Sequence, residues 1–126
     1  MKSAELQERT KKFALRVSNL IEHLPDTICG RVVANQLARS ATSVGANYRA
    51  ACRGRSRAEF ASKLGTVAEE ADESLYWLEL IHDGELIQQK KVISLLREAD
   101  ELTAIFTSGR RSVSRLQPSK IKPQPS

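Results

Sequence analysis

No run of 18 apolar residues occurs anywhere in this 126-residue chain, and its start, Met1-Lys2-Ser3-Ala4-Glu5-Leu6-Gln7-Glu8, is polar. Neither a membrane-spanning helix nor a secretory leader is expected from such a sequence, so the reading is a soluble cytoplasmic protein with no membrane partner. Cysteine is scarce, with Cys29 and Cys52 alone. On one continuous helix a 23-residue separation puts them about 35 Å apart, too far for a disulfide, and both are expected as free buried thiols.

The motifs of common enzyme chemistry are missing as well. The chain has no Gly-rich loop before a helix, no His-Glu-x-x-His, no Cys-x-x-Cys and no Gly-x-Ser-x-Gly. His23 and His82 have no second His or Cys at metal-ligand spacing, and each is expected near a helix C-terminus, where the helix dipole favours an imidazolium. No catalytic residue, cofactor or metal ligand is therefore assigned, and the chain is read as a non-enzyme. Its length also excludes a second substrate or nucleotide domain, leaving one core that buries roughly two-thirds of the unfolded surface.

What is present is charge, unevenly distributed. The net charge is +5, with 20 Lys and Arg against 15 acids. Residues 1–109 hold 15 of each sign, so the whole excess lies in residues 110–126, on Arg110, Arg111, Arg115, Lys120 and Lys122. Residues 27–57 carry six arginines and no acid, whereas 58–85 carry eight acids against Lys63 alone. These two segments should attract each other.

Helical periodicity accounts for the apolar residues. Leu6, Thr10, Phe13, Val17, Leu20, Ile21 and Leu24 mark a first helix, with Ser3 as N-cap and Leu24-Pro25 as its end. Asp26 or Thr27 caps a second helix that runs to about Arg53, with Val33, Leu37, Ala41, Val44, Tyr48 and Ala51 within about 100° of arc. Gly45 lies beside that arc, a place for close approach of a neighbouring helix. Gly54-Arg55 is a turn, and Ser56-Arg57-Ala58-Glu59 a capping box. Phe60, Leu64, Val67, Ala71, Leu75 and Leu78 then line a third helix that stops at Asp83-Gly84, with glycine as the left-handed residue. Leu86, Val92, Leu95, Leu96, Ala99, Leu102 and Phe106 make the fourth, ended by Gly109. Short links force antiparallel neighbours, so the predicted fold is an all-α, up-down-up-down four-helix bundle over 1–109. Residues 110–126 hold three of the four prolines and no acid, which predicts a disordered basic tail.

The candidate site lies on helices two and three. On a 100° wheel Gln36, Ser40, Ser43 and Asn47 form a polar seam beside the core stripe, with Arg31, Arg39, Arg49 and Arg53 on the far side. Glu70, Glu73 and Trp77 form a matching seam on helix three. Three readings follow. The seams are a structural network or an oligomer interface, with the arginines paired to acids of helix three or of another subunit; the arginines, left unpaired, hold nucleic-acid phosphates; or Glu70, Glu73 and Ser40 are catalytic, which no pocket, base or metal supports.

The same residues carry a resemblance. The string from Gln36 to Arg53, QLARSATSVGANYRAACR, followed by Glu59-Phe60 and by Glu69-Glu70-Ala71-Asp72-Glu73-Ser74-Leu75-Tyr76-Trp77-Leu78, resembles the bacterial four-helix-bundle proteins related to those encoded in 23S ribosomal RNA intervening sequences. The Leu24-Pro25 link fits, and the resemblance covers residues 10–107. It implies a homopentameric ring of bundles. More distant relatives serve as accessory proteins of diversity-generating retroelements, which implies reverse transcriptase and nucleic acid as partners. Where many relatives carry Glu shortly after the position of Asn47, this chain has Arg49-Ala50, and its second helix becomes wholly basic. The expected function is thus a non-enzymatic oligomeric bundle that binds RNA, DNA or a ribonucleoprotein through Arg31, Arg39, Arg49, Arg53 and the basic tail. The alternative is a protein-protein scaffold with its arginines internally paired.

Overall fold

The computed structural model describes residues 1–116, and among them four helices and no strand occur: α1 (Ser3–Ile21), α2 (Ile28–Cys52), α3 (Arg57–Asp83) and α4 (Gln89–Leu116). α2 packs on α1 and α3, and α4 on α3 and α1, so the helices go round the bundle in chain order with alternating direction.

Each boundary has a local cause. Lys2, rather than Ser3, is the N-cap of α1; its backbone N–H donates to Glu5 Oε1 at 2.9 Å, so the third residue of the helix satisfies the cap. Thr27 caps α2, its Oγ1 accepting from Gly30 N–H at 3.0 Å. A Cβ on Gly30 would collide with the Pro25 carbonyl, so glycine lets the α1–α2 link fold tightly over the start of α2. Ser56 Oγ accepts from Glu59 N–H at 3.0 Å, and the Glu59 carboxylate takes the N–H of Arg55 rather than that of Ser56.

The α3 terminus differs from the sequence expectation in one respect. Gly84 is right-handed at φ −84°, and the left-handed residue is Glu85 at φ 52°. Leu86 N–H donates to Ile81 O at 3.0 Å and Glu85 N–H to His82 O at 3.1 Å, the paired bonds of a Schellman turn whose left-handed position falls on the glutamate. Gly84 is needed for a different reason, because a Cβ there would stand 2.9 Å from the Leu80 carbonyl.

Phe13, Val17, Val33, Leu37, Ala41, Val44, Val67, Leu78, Val92, Leu102 and Phe106 are buried in one core, as their spacing predicts, together with Ile81, which the predicted stripe leaves out, whereas Phe60, Leu75, Leu86 and Leu96 are only half-buried. Gly45 faces α1, where an added Cβ would come within 3.3 Å of Thr10 Oγ1. Two expectations are corrected. Cys29 is exposed and Cys52 half-buried, because the ends of α2 lie at the ends of the bundle. Gly109 does not end α4, which continues to Leu116 and carries Arg110, Arg111 and Arg115 on helix; half-buried Gly109 has the Leu64 side chain nearby, and Arg110 lays its stem against Gly65 of α3, which gives the extra turns a surface to follow. The rest of the expected disordered tail, with Lys120 and Lys122, lies outside the described residues. No described helix is long and apolar enough to cross a membrane.

Candidate nucleic-acid interface

The arginines of α2 separate by the neighbour each one faces. Arg31 pairs locally, its Nη1 donating to Asp26 Oδ1 at 2.7 Å in full solvent. Arg39 leans over α3, donating to Glu70 Oε1 at 3.2 Å and also to Glu73 Oε2. Trp77 Nε1–H donates to the same Glu73 oxygen at 3.2 Å. The Arg39 hydrogen bond, helped by Trp77, holds the Glu73 carboxyl below its ordinary value against the opposing effect of partial burial. Arg39 is correspondingly held above the usual guanidinium value, chiefly by Glu73 and then by Glu70.

Arg49 and Arg53 take the other direction. Both are exposed and border a groove of about 780 Å³ between α1 and α2. Among the described residues neither makes an ion pair with a carboxylate.

The polar seam of α2 contributes less than its wheel position suggests. Buried Ser40 meets buried Ser74, whose hydroxyl donates to Ser40 Oγ at 2.9 Å, and Ser40 donates to the Leu37 carbonyl at 3.3 Å. Asn47 turns back to its own helix, Nδ2 donating to the Ser43 carbonyl at 2.9 Å. Gln36 is half-buried and outside this network. The cluster the fold assembles is therefore Arg39, Glu70, Glu73 and Trp77 above Ser40 and Ser74.

Two features of the fold, one inside this cluster and one outside it, are easily missed in the sequence. Ser74 occupies a core position between Ala71 and Leu78, a polar residue where spacing calls for an apolar one. Arg9 has no such signature; Nε donates to Glu98 Oε2 at 2.7 Å and Nη2 to Glu98 Oε1 at 2.8 Å and Glu101 Oε1 at 2.7 Å, forking α1 to α4. The Glu98 hydrogen bond raises the Arg9 pKa further. Of the two histidines only His23 reaches a helix carbonyl, its Nδ1 3.2 Å from that of Asn19, whereas Nδ1 of His82 lies 2.9 Å from the side-chain Oδ1 of Asp83. Among the described residues no group of three or more His, Cys, Asp or Glu is placed to hold a metal ion.

Chain direction sorts the charges by end. Dividing each helix at its middle, one end comprises residues 1–12, 41–69 and 103–116, with twelve basic and four acidic residues, a formal +8. The opposite end, residues 13–40 and 70–102, has six basic and eleven acidic residues, a formal −5. Residues 117–126 follow on from the basic end and add Lys120 and Lys122.

The family model described as 23S rRNA-intervening sequence protein matches residues 2–108. The chain belongs to this family. A crystal structure of a protein of unknown function from the S23 ribosomal protein family of Bacteroides thetaiotaomicron shares 34% identity and a TM-score of 0.78, over 88% of this chain and 99% of that one. No curated protein matches the chain. In this member of the 23S rRNA-intervening sequence protein family, the string from Gln36 to Arg53 runs along α2 to its C-cap, and its last two arginines stand at the basic end. The acidic string from Glu69 to Trp77 holds the ligands of Arg39.

Proposed function

We propose that this protein is a non-enzymatic bundle that binds RNA, alone or within a ribonucleoprotein, through its basic end. The observation that carries the reading is the +8 collected at that end from three separate chain segments, around Lys11, Arg49, Arg53, Arg57, Arg110 and Arg111. A concentration of this kind attracts a polyanion far more strongly than a net charge of +5 spread over the surface. Arg31 and Arg39, with carboxylate partners, contribute little, so the described part of the surface comprises Arg49, Arg53, Arg110 and Arg111, and Arg115, Lys120 and Lys122 follow in the sequence. The family description, which names 23S rRNA, favours RNA over DNA. Self-assembly adds effective concentration, and exposed Leu15, Ile28, Val32 and Tyr76 offer apolar surface for a homo-oligomer such as the pentamer the resemblance implies. Native mass measurement reads that number directly.

The test compares two double variants that remove equal charge from opposite ends, Arg110→Gln/Arg111→Gln and Lys90→Gln/Lys91→Gln. Each phosphate contact contributes about 0.7 to 0.9 to the slope of log affinity against log salt. The first variant should flatten that slope by about 1.5 and the second should leave it unchanged. Equal slopes for the two, or no RNA retained by the wild type at low salt, would refute the proposal. The scaffold reading draws on one observation, the bridging of α2 and α3 by Arg39, Glu70 and Glu73; it predicts oligomer loss in Glu73→Ala with RNA binding absent throughout.

A further inference from the structure

We propose that the α1–α2 groove is the seat of the sugar-phosphate backbone of single-stranded RNA, an inference that rests on the RNA-binding reading above. Its floor is formed by buried Thr10 and half-buried Ala14 and Gly45, none larger than threonine. The small side chains leave the two helix backbones close to the surface, and the resulting space of about 780 Å³ is of the size that takes a nucleotide-scale ligand. Thr10 Oγ1 is already committed, lying 2.9 Å from the Leu6 carbonyl and 3.0 Å from that of Gln7, so the floor offers van der Waals contact and no strong polar demand.

The rims supply the charge. Lys11 stands on the α1 side and Arg49 and Arg53 on the α2 side, all exposed. Arg49 and Arg53 are four residues apart, so they rise about 6 Å along α2, a spacing at which two guanidinium groups can take adjacent phosphates of an extended strand. Glu8 lines the same groove, so its charged lining is three cations and one acid. No aromatic ring lines it, which removes the stacking platform on which most single-strand binders rely and leaves recognition electrostatic and indifferent to base sequence. A duplex, with its phosphates on the outside of a much wider cylinder, touches the rims without reaching the floor.

The test uses full-length protein, a fluorescent homopolymeric RNA strand and an RNA duplex of equal length. Ala46, exposed on the α2 wall, is replaced by Leu, which fills the groove with no change in charge and is compatible with a helix. Ala46→Leu should weaken single-strand binding roughly tenfold with the duplex little affected. Glu8→Gln should strengthen single-strand binding, a direction that no loss of structure produces. Base sequence should not matter. The inference is overturned if the wild type binds RNA but both variants leave affinity unchanged, or if Ala46→Leu alters the native oligomer mass while RNA binding persists, which would make the groove a contact between copies. Absence of any RNA binding by the wild type removes the functional reading itself.

Discussion

Glu85 is the residue at which local chemistry and fold disagree. A left-handed residue is required there by the two bonds that close α3, from Leu86 to Ile81 and from Glu85 to His82, yet the side chain is one that disfavours it. The left-handed conformation costs an L-residue about 1 kcal/mol or more. Glu85→Gly should therefore raise stability by roughly 0.5 to 1 kcal/mol, read as a higher urea midpoint with unchanged slope. The sequence placed the required glycine one position early, at Gly84, because residue type alone does not distinguish a glycine needed for its φ from one needed for the space a Cβ would occupy. Similarly, Ser3 looked like a cap because serine is the common one, whereas the decisive group is the Glu5 carboxylate reaching back to Lys2.

For the helices themselves, periodicity located all four and nearly all of the buried positions, since a stripe with steps of three and four has one way to bury itself. The partner of each exposed arginine was not legible. Arg39 and Arg49 lie on the same arc of the wheel, and only the packing of α1 and α3 on opposite flanks of α2 sends one to carboxylates and the other to a groove. That pairing has a pH signature. Glu73 has a lowered pKa in the folded protein, so its contribution is fully present above the unfolded value, ordinarily 4.5, and is lost as pH falls through the folded one. In Glu73→Gln the amide oxygen still accepts from Trp77 while the negative charge that faces Arg39 is lost. The difference in unfolding free energy between wild type and this variant should be largest at neutral pH and disappear in acid; a difference independent of pH would separate Glu73 from Arg39 energetically.

Over the whole molecule, the tail and the arginine-rich segment read in the sequence as separate features, and the fold makes them neighbours. α4 passes Gly109 and delivers Arg110, Arg111 and Arg115 to the end where α2 finishes and α3 begins. A chain stopped after Leu116 loses only Lys120 and Lys122, so its salt slope for RNA should fall by no more than about 1.5. A chain stopped after Gly109 loses three more cations together with two turns of helix, and should bind far more weakly. Retention assays across a salt series measure both. Complete loss of binding on removing residues 117–126 alone would move the interaction away from the folded end.

The two thiols at the ends of α2 give the bundle a built-in means of orientation. Cys29 is exposed at the acidic end and Cys52 half-buried at the basic end, where its Sγ lies 3.0 Å from Ser3 Oγ. Accessibility controls thiol modification, so a maleimide dye under mild conditions should choose Cys29. The label then sits about 35 Å along a rigid rod from the arginines. A strand labelled at one terminus can thus be ranged against the bundle, and its polarity in the groove determined, with no engineered cysteine and no probe at the binding surface.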